Sequence, residues 1–198
     1  MGHKKALERI NHQSLIERTI DRLSTVSQAI LIVTSQEQFS LISSARLKGK
    51  VIVDLYPGKA ALGGVYTGLA SADTPHSLVV GCDMPFLNSA LLRYLVGVAR
   101  DFDLVVPEID GMTEPLHAVY SRRCLTSIEH LLNQGRLAIS QLFGLVKTRY
   151  VGKDEIAKFD PEHLSFFNIN TQHDLAKARA LIEWEERSPT AGEERFQQ

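Results

Sequence analysis

The sequence has two cysteines and no long apolar run, and each scarcity excludes something. Cys82 and Cys124 stand far apart and make no metal-type spacing, so neither a disulfide framework nor a cysteine zinc site is expected. Cys82 follows an apolar run and reads as a packed thiol, which suits a reducing cytoplasm. The seven histidines contain no His-x-x-x-His pair, so the metalloprotease type of zinc site is not expected either. No apolar stretch reaches the length of a membrane span, and the polar, charged N-terminus is unlike a signal peptide. Neither charge is in excess: the net charge is −1, with acids and bases interspersed. That balance argues against a nucleic-acid face and a polybasic membrane anchor, but leaves room for a small anionic ligand, which needs only local charge.

What is present is an ordinary globular composition and a length, 198 residues, sufficient for one well-buried domain. The stretch Ser77-Leu78-Val79-Val80-Gly81-Cys82-Asp83-Met84-Pro85 stands at its centre. A short β-branched run bounded by turn signals reads as a buried strand of a parallel sheet, and Pro85 blocks further pairing. Asp83 then falls at the carboxyl end of a strand, where α/β sheets take ligands. It could hold a divalent cation against phosphates, or only satisfy turn amides, and this stretch alone leaves both open. Val51-Ile52-Val53-Asp54 repeats the pattern of an apolar run ending in an acid. Leu62-Gly63-Gly64-Val65 opens a helix to about Ala72, either with room for a ligand at its start or as a plain strand-to-helix connection.

The remaining elements follow from their punctuation. Ser14 with Glu17 predicts a capped helix carrying Leu15, Ile16, Thr19, Ile20 and Leu23 on one face. Ala29 to Val33 is a strand, and Phe39, Ile42 and Leu47 mark a helix that Gly49 would end. Asn88 caps a helix to about Ala99, and Leu104 to Pro107 is a strand. Strands alternating with helices to this point indicate a parallel α/β sheet. Beyond the Asp110-Gly111 turn, Glu114 to Tyr120 reads as an antiparallel edge strand, followed by a helix over Cys124 to Leu132 and a short helix from Ile139. Thr148 to Val151 and Phe166 to Asn170 read as extended, and Thr171 with Asp174 begins a final helix. Residues 188–198 read as a disordered tail.

Several of these pieces occur together in one order: Met1-Gly2-His3-Lys4-Lys5, Val53-Asp54, Pro57-Gly58 with Leu62-Gly63-Gly64, Gly81-Cys82-Asp83-Met84-Pro85-Phe86, Glu114-Pro115-Leu116-His117, and Asn168-Ile169-Asn170-Thr171. In that order they resemble the nucleotidyltransferase family that includes molybdenum cofactor guanylyltransferase. The resemblance implies an α/β fold, a Rossmann-like and mostly parallel sheet with helices on both faces, like the nucleotide-diphospho-sugar transferases. It implies a single nucleotidyltransferase domain over residues 1–187, with a nucleotide-binding half at 1–107 and an acceptor-side half at 108–187. The implied reaction transfers GMP from GTP to molybdenum-molybdopterin and releases pyrophosphate, with Mg2+ as cofactor. Implied partners are GTP, molybdenum-molybdopterin and, transiently, proteins of molybdenum cofactor biosynthesis or molybdoenzyme chaperones, with no nucleic acid and no membrane.

By the same resemblance, Lys5 would contact the triphosphate and neutralise charge during transfer. Thr34 falls where many relatives carry an asparagine at the nucleotide edge. Asp54 would be the nucleotide-binding acid that reads the guanine, and Asp83 the magnesium ligand at the nucleotide. Asn170 would be a second polar group near the metal or only a turn into the last helix. Glu114, Tyr120, Arg122, Arg123 and Arg136 fall on the acceptor side. Two departures accompany the match. Lys4 stands where an acid is usual, and the chain begins at Met-Gly, where family members have a preceding strand and a Leu-Ala-Gly-Gly-x-x-x-Arg loop. The expectation is that the first strand is missing because Met1 is an internal methionine, and that the 198-residue chain is poorly folded or weakly active. Competing expectations are cytidylyl transfer to the same acceptor, a sugar-phosphate nucleotidyltransferase, and a non-catalytic remnant.

Overall fold

A computed structural model describes residues 5–187, with the side chains of Lys5 and residues 185–187 not described. The tail 188–198, expected to be disordered, lies outside the described residues. In chain order the strands are β1 (Arg9–Ile10), β2 (Gln13–Ser14), β3 (Leu31–Thr34), β4 (Lys50–Val53), β5 (His76–Val80), β6 (Leu104–Ile109), β7 (Met112–Thr113), β8 (His117–Ser121) and β9 (Thr148–Gly152). The helices are α1 (Leu15–Ser24), α2 (Gln36–Ser44), α3 (Ala60–Ser71), α4 (Ser89–Gly97), α5 (Leu125–Asn133), α6 (Lys153–Ile156) and α7 (Gln172–Arg187). They gather into two compact units. One comprises the described parts of residues 1–28, 81–93 and 154–198, the other residues 29–80 and 94–153.

The first unit is built around helix caps. Ser14 accepts from the Glu17 amide and Glu17 returns to the Ser14 amide at 2.7 Å, the reciprocal box that the Ser-x-x-Glu spacing predicts. These Ser14 bonds hold the Glu17 carboxyl below its ordinary range. At α4, the Asn88 side chain accepts from the Leu91 amide at 2.9 Å and donates to the Phe159 carbonyl at 2.8 Å, while its own amide donates to the Ser165 hydroxyl. Asp160 is buried and takes the Leu164 and Ser165 amides on its two oxygens, although burial pushes its carboxyl upward. At α7, Thr171 and Asp174 bond reciprocally, and the Thr171 hydroxyl leads in holding the Asp174 carboxyl down. The core joins Ile10, Leu15, Phe86, Ile169, Leu175, Ala178 and Ile182, with Phe86 and Phe167 packed edge to face. Phe166 to Asn170 is not a strand: a 3₁₀ turn at Leu164–Phe166 leads into packed coil, because Ile169 is buried by α7 and its neighbours rather than by a sheet.

The second unit carries the main sheets. β3 and β4 pair in parallel, Leu31 opposite Lys50 through Thr34 opposite Val53. A five-stranded mixed sheet runs β5-β8-β6-β7, with β9 parallel to β6. β8 was expected at an edge, but it lies between β5 and β6, antiparallel to both and buried along its whole length. β5 was expected to be buried among parallel neighbours. It pairs antiparallel with β8 on one edge, has no partner on the other among the described residues, and is half-buried throughout. Asp110 and Gly111, both at positive φ, make the tight β6–β7 turn. α2 ends at Ser44, well before Gly49, which instead leads into β4 at φ +133°. The core packs Leu62, Val65 and Leu69 of α3 and Ile128, Leu131 and Leu132 of α5 with Leu104, Val106, Ala118 and Tyr120 of the sheet.

Candidate active site

Two acids follow two strands. β4 ends at Val53, so Asp54 is the first residue beyond it, and the Asp54 amide donates to the Thr34 carbonyl at 2.8 Å. Thr34 and Asp54 are thereby brought together at the carboxyl ends of β3 and β4, where α/β sheets take ligands.

The Asp54 carboxylate is held by the protein itself. Its Oδ1 accepts from the Tyr56 amide at 3.0 Å and from the Thr67 hydroxyl at 2.7 Å. The same hydroxyl accepts from the Leu55 amide at 3.0 Å. Thr67 is a buried residue of α3, one turn beyond Gly63. A Cβ on Gly63 would stand 2.8 Å from the Tyr56 carbonyl oxygen and 3.3 Å from Asp54 Oδ2, so the missing side chain lets α3 close on the 54–56 loop. A Cβ on Gly64 would meet nothing within 4 Å. The room expected at these glycines is therefore divided: Gly63 serves the protein's own backbone and Gly64 faces open space. Sequence reasoning missed Thr67, although its four-residue spacing from Gly63 puts both on one helical face.

Asp83 belongs to the first unit and lies in a turn beyond β5, which stops at Val80. The shorter strand leaves Cys82 in that turn too, so it is exposed rather than packed, while Cys124 is the buried thiol. The Asp83 carbonyl accepts from the Ile169 amide at 3.0 Å. Thr19 of α1 is buried, donates to the Leu15 carbonyl at 3.0 Å, and stands 3.5 Å from the carbonyls of Cys82 and Met84. A Cβ on Gly81 would come 2.6 Å from Asp83 Oδ1, so only glycine admits this placement of the carboxylate. Asn170 follows the Ile169 anchor, and its amide bonds Asp174 at 3.0 Å at the start of α7. Lys5 opens a 3₁₀ turn, Lys5–Leu7, and its side chain lies outside the described part of the chain.

Asp83 presents hard carboxylate oxygens, and no cluster of three or more His, Cys, Asp or Glu able to hold a metal occurs among the described residues. That donor set fits magnesium, which is commonly held by one or two carboxylates together with substrate phosphates, and does not fit an all-protein zinc or calcium cage. The acceptor-side residues have structural partners. Tyr120 is buried and donates to the Pro115 carbonyl at 2.7 Å, fastening the Glu114-Pro115-Leu116 loop, and burial raises the Glu114 carboxyl. Arg122 bonds the Ala72 carbonyl, Arg123 pairs with Asp103 at 2.5 Å, and Arg136 donates to Gln141 at 2.9 Å.

The fold is that of the nucleotide-diphospho-sugar transferases. A 2-C-methyl-D-erythritol 4-phosphate cytidylyltransferase from Thermus thermophilus superposes with a TM-score of 0.67 at 17% identity, covering 92% of this chain and 95% of that one. A molybdopterin-guanine dinucleotide biosynthesis protein A from Archaeoglobus fulgidus superposes with a TM-score of 0.80 at 28% identity, covering 92% of each chain. In sequence, a molybdenum cofactor guanylyltransferase of Desulfosudis oleivorans is 36% identical over 182 residues, 91% of this chain and 88% of that protein. The family model of the MobA-like NTP transferase domain matches residues 1–147. The chain belongs to that family, and its chemistry is that of a nucleotidyltransferase. No helix among the described residues is long and apolar enough to cross a membrane.

Proposed function

We propose that the protein transfers GMP from GTP to the terminal phosphate of molybdenum-molybdopterin in the cytoplasm, giving the guanine dinucleotide form of the cofactor. An acceptor phosphate oxygen bonds to the α-phosphorus of GTP, the bond from that phosphorus to the bridging oxygen breaks, and pyrophosphate leaves. In this reading residues 1–107 serve the nucleotide and 108–187 the acceptor. Asp54 takes the guanine, with Thr34 beside it at the nucleotide edge. Asp83 holds magnesium, and Lys5 faces the triphosphate. Magnesium supplies charge neutralisation at the phosphates when bound. The observation that carries the proposal is the placement of Asp54 and Asp83 just past strands, each fastened by buried neighbours, in a chain 36% identical to a protein named molybdenum cofactor guanylyltransferase.

The test offers GTP, CTP and a sugar phosphate in parallel with magnesium and molybdenum-molybdopterin, and measures pyrophosphate. Release only with GTP and the pterin acceptor is expected. Asp83→Asn is expected to remove at least 99% of it, as loss of transition-state charge stabilisation costs roughly 10²–10³ in rate, with the unfolding temperature unchanged. Release with CTP instead, or a wild-type rate from Asp83→Asn, would refute the assignment.

A further inference from the structure

We infer that Thr67 is a positioning residue for nucleotide recognition: its hydroxyl fixes which oxygen of Asp54 meets the nucleobase. The inference rests on the nucleotide reading of Asp54 given above and extends it to a residue outside the predicted site. Among the described residues, both internal donors to Asp54 converge on one oxygen. The Thr67 hydroxyl, at 2.7 Å, and the Tyr56 amide, at 3.0 Å, both reach Oδ1. Oδ2 receives neither of these bonds and keeps its acceptor capacity. An ionised carboxylate accepts only, with lone pairs on both oxygens, so a base N–H entering from outside is left with Oδ2 as its acceptor.

Thr67 is suited to this task by its own bonding. Its hydroxyl has one proton, which goes to Asp54, and it accepts from the Leu55 amide at 3.0 Å. That acceptance fixes the direction of donation: with the amide proton occupying a lone pair, the hydroxyl proton is turned to the carboxylate. Thr67 is buried on α3, whose close approach to the 54–56 loop depends on Gly63. A carboxylate free to rotate would lose part of its attraction for the ligand to reorganisation on binding, and one locked from behind does not. The ligand class this arrangement selects is a nucleobase presenting an N–H donor edge, as guanine does through N1–H and its exocyclic amine.

The test is a double-mutant cycle read by calorimetric titration of the full chain with GTP and magnesium. Thr67→Val is expected to weaken GTP binding about tenfold, the size of losing one hydrogen bond to a charged group, while Thr67→Ser binds within about twofold of wild type because the hydroxyl remains. In an Asp54→Ala background Thr67→Val is expected to cost nothing further, since Thr67 acts through that carboxylate. Thr67→Ala, which leaves room for water beside the Leu55 amide, repeats the measurement should the valine variant fold poorly. A folded Thr67→Val or Thr67→Ala variant that binds GTP as wild type does, or a tenfold loss that persists without Asp54, would overturn the inference while leaving the nucleotide reading intact. A wild-type chain that does not bind GTP, or an Asp54→Ala variant that binds it fully, would overturn the nucleotide reading and this inference with it.

Discussion

His117 is expected to make the stability of the protein sensitive to mild acid. It lies in β8, opposite Val80 of β5, and is fully buried. Burial disfavours the imidazolium and lowers its pKa from the ordinary 6.5 to about 4. A base whose pKa is depressed by folding contributes stability above its unfolded value and loses it as the pH falls toward the folded one. At pH 5.5 the unfolded chain holds this proton about nine-tenths of the time, whereas the native chain holds almost none. The ratio of proton-binding terms is about ten, or about 1.4 kcal/mol lost relative to pH 7.5. Buried Asp160 and half-buried Glu114, whose pKa values are raised, change stability in the opposite sense. The measurement therefore compares wild type with His117→Gln, in which those acids are common to both. Urea unfolding at pH 7.5 and 5.5 is expected to show wild type losing about 1.4 kcal/mol more than the variant over that interval. Equal losses would refute the burial argument.

Two further predictions concern packing. Gly63→Ala places a methyl 2.8 Å from the Tyr56 carbonyl oxygen and is expected to cost roughly 1–3 kcal/mol by overpacking, whereas Gly64→Ala meets open space and is expected to stabilise by up to about 1 kcal/mol through helix propensity. Thermal unfolding of the two variants checks the contrast. Asn88→Ala removes the side-chain bonds to the Phe159 carbonyl and the Leu91 amide and is expected to cost about 1–3 kcal/mol in urea unfolding, with an effect near zero counting against the buried network.

Much of this structure was legible wherever the controlling interaction is local. The Ser14–Glu17 box, the Asn88 cap, the Asp110-Gly111 turn and the Thr171–Asp174 start of α7 each need only a few neighbouring residues, and each formed as the spacing predicts. Asp54 and Asp83 were legible as acids closing apolar runs, although their roles rest on the proposal above. What escaped is long-range. Nothing within Glu114 to Tyr120 says that β8 inserts between β5 and β6 instead of standing at the edge, because that depends on which strands remain to pair with it. Phe166 to Asn170 has the apolar content of a strand, yet its burial comes from α7 together with Ile10, Leu15 and Phe86. Thr67 looks like helix filling until the 54–56 loop is folded against it.

The two acids also differ in when their surroundings can exist. The Asp54 carboxylate is fastened by Tyr56 and Thr67, the latter only 13 positions away, on a helix that packs against β6, β8 and α5. The Asp83 turn waits for Ile169, which reaches back from near the C-terminal end of the chain and packs there with Ile10 and Leu15. Closing that loop is a late, entropically expensive step in a chain made from its N-terminus. A chain clipped before Ile169 is expected to keep the Thr67 bond to the Asp54 carboxylate and to lose the backbone bond that fastens the Asp83 turn.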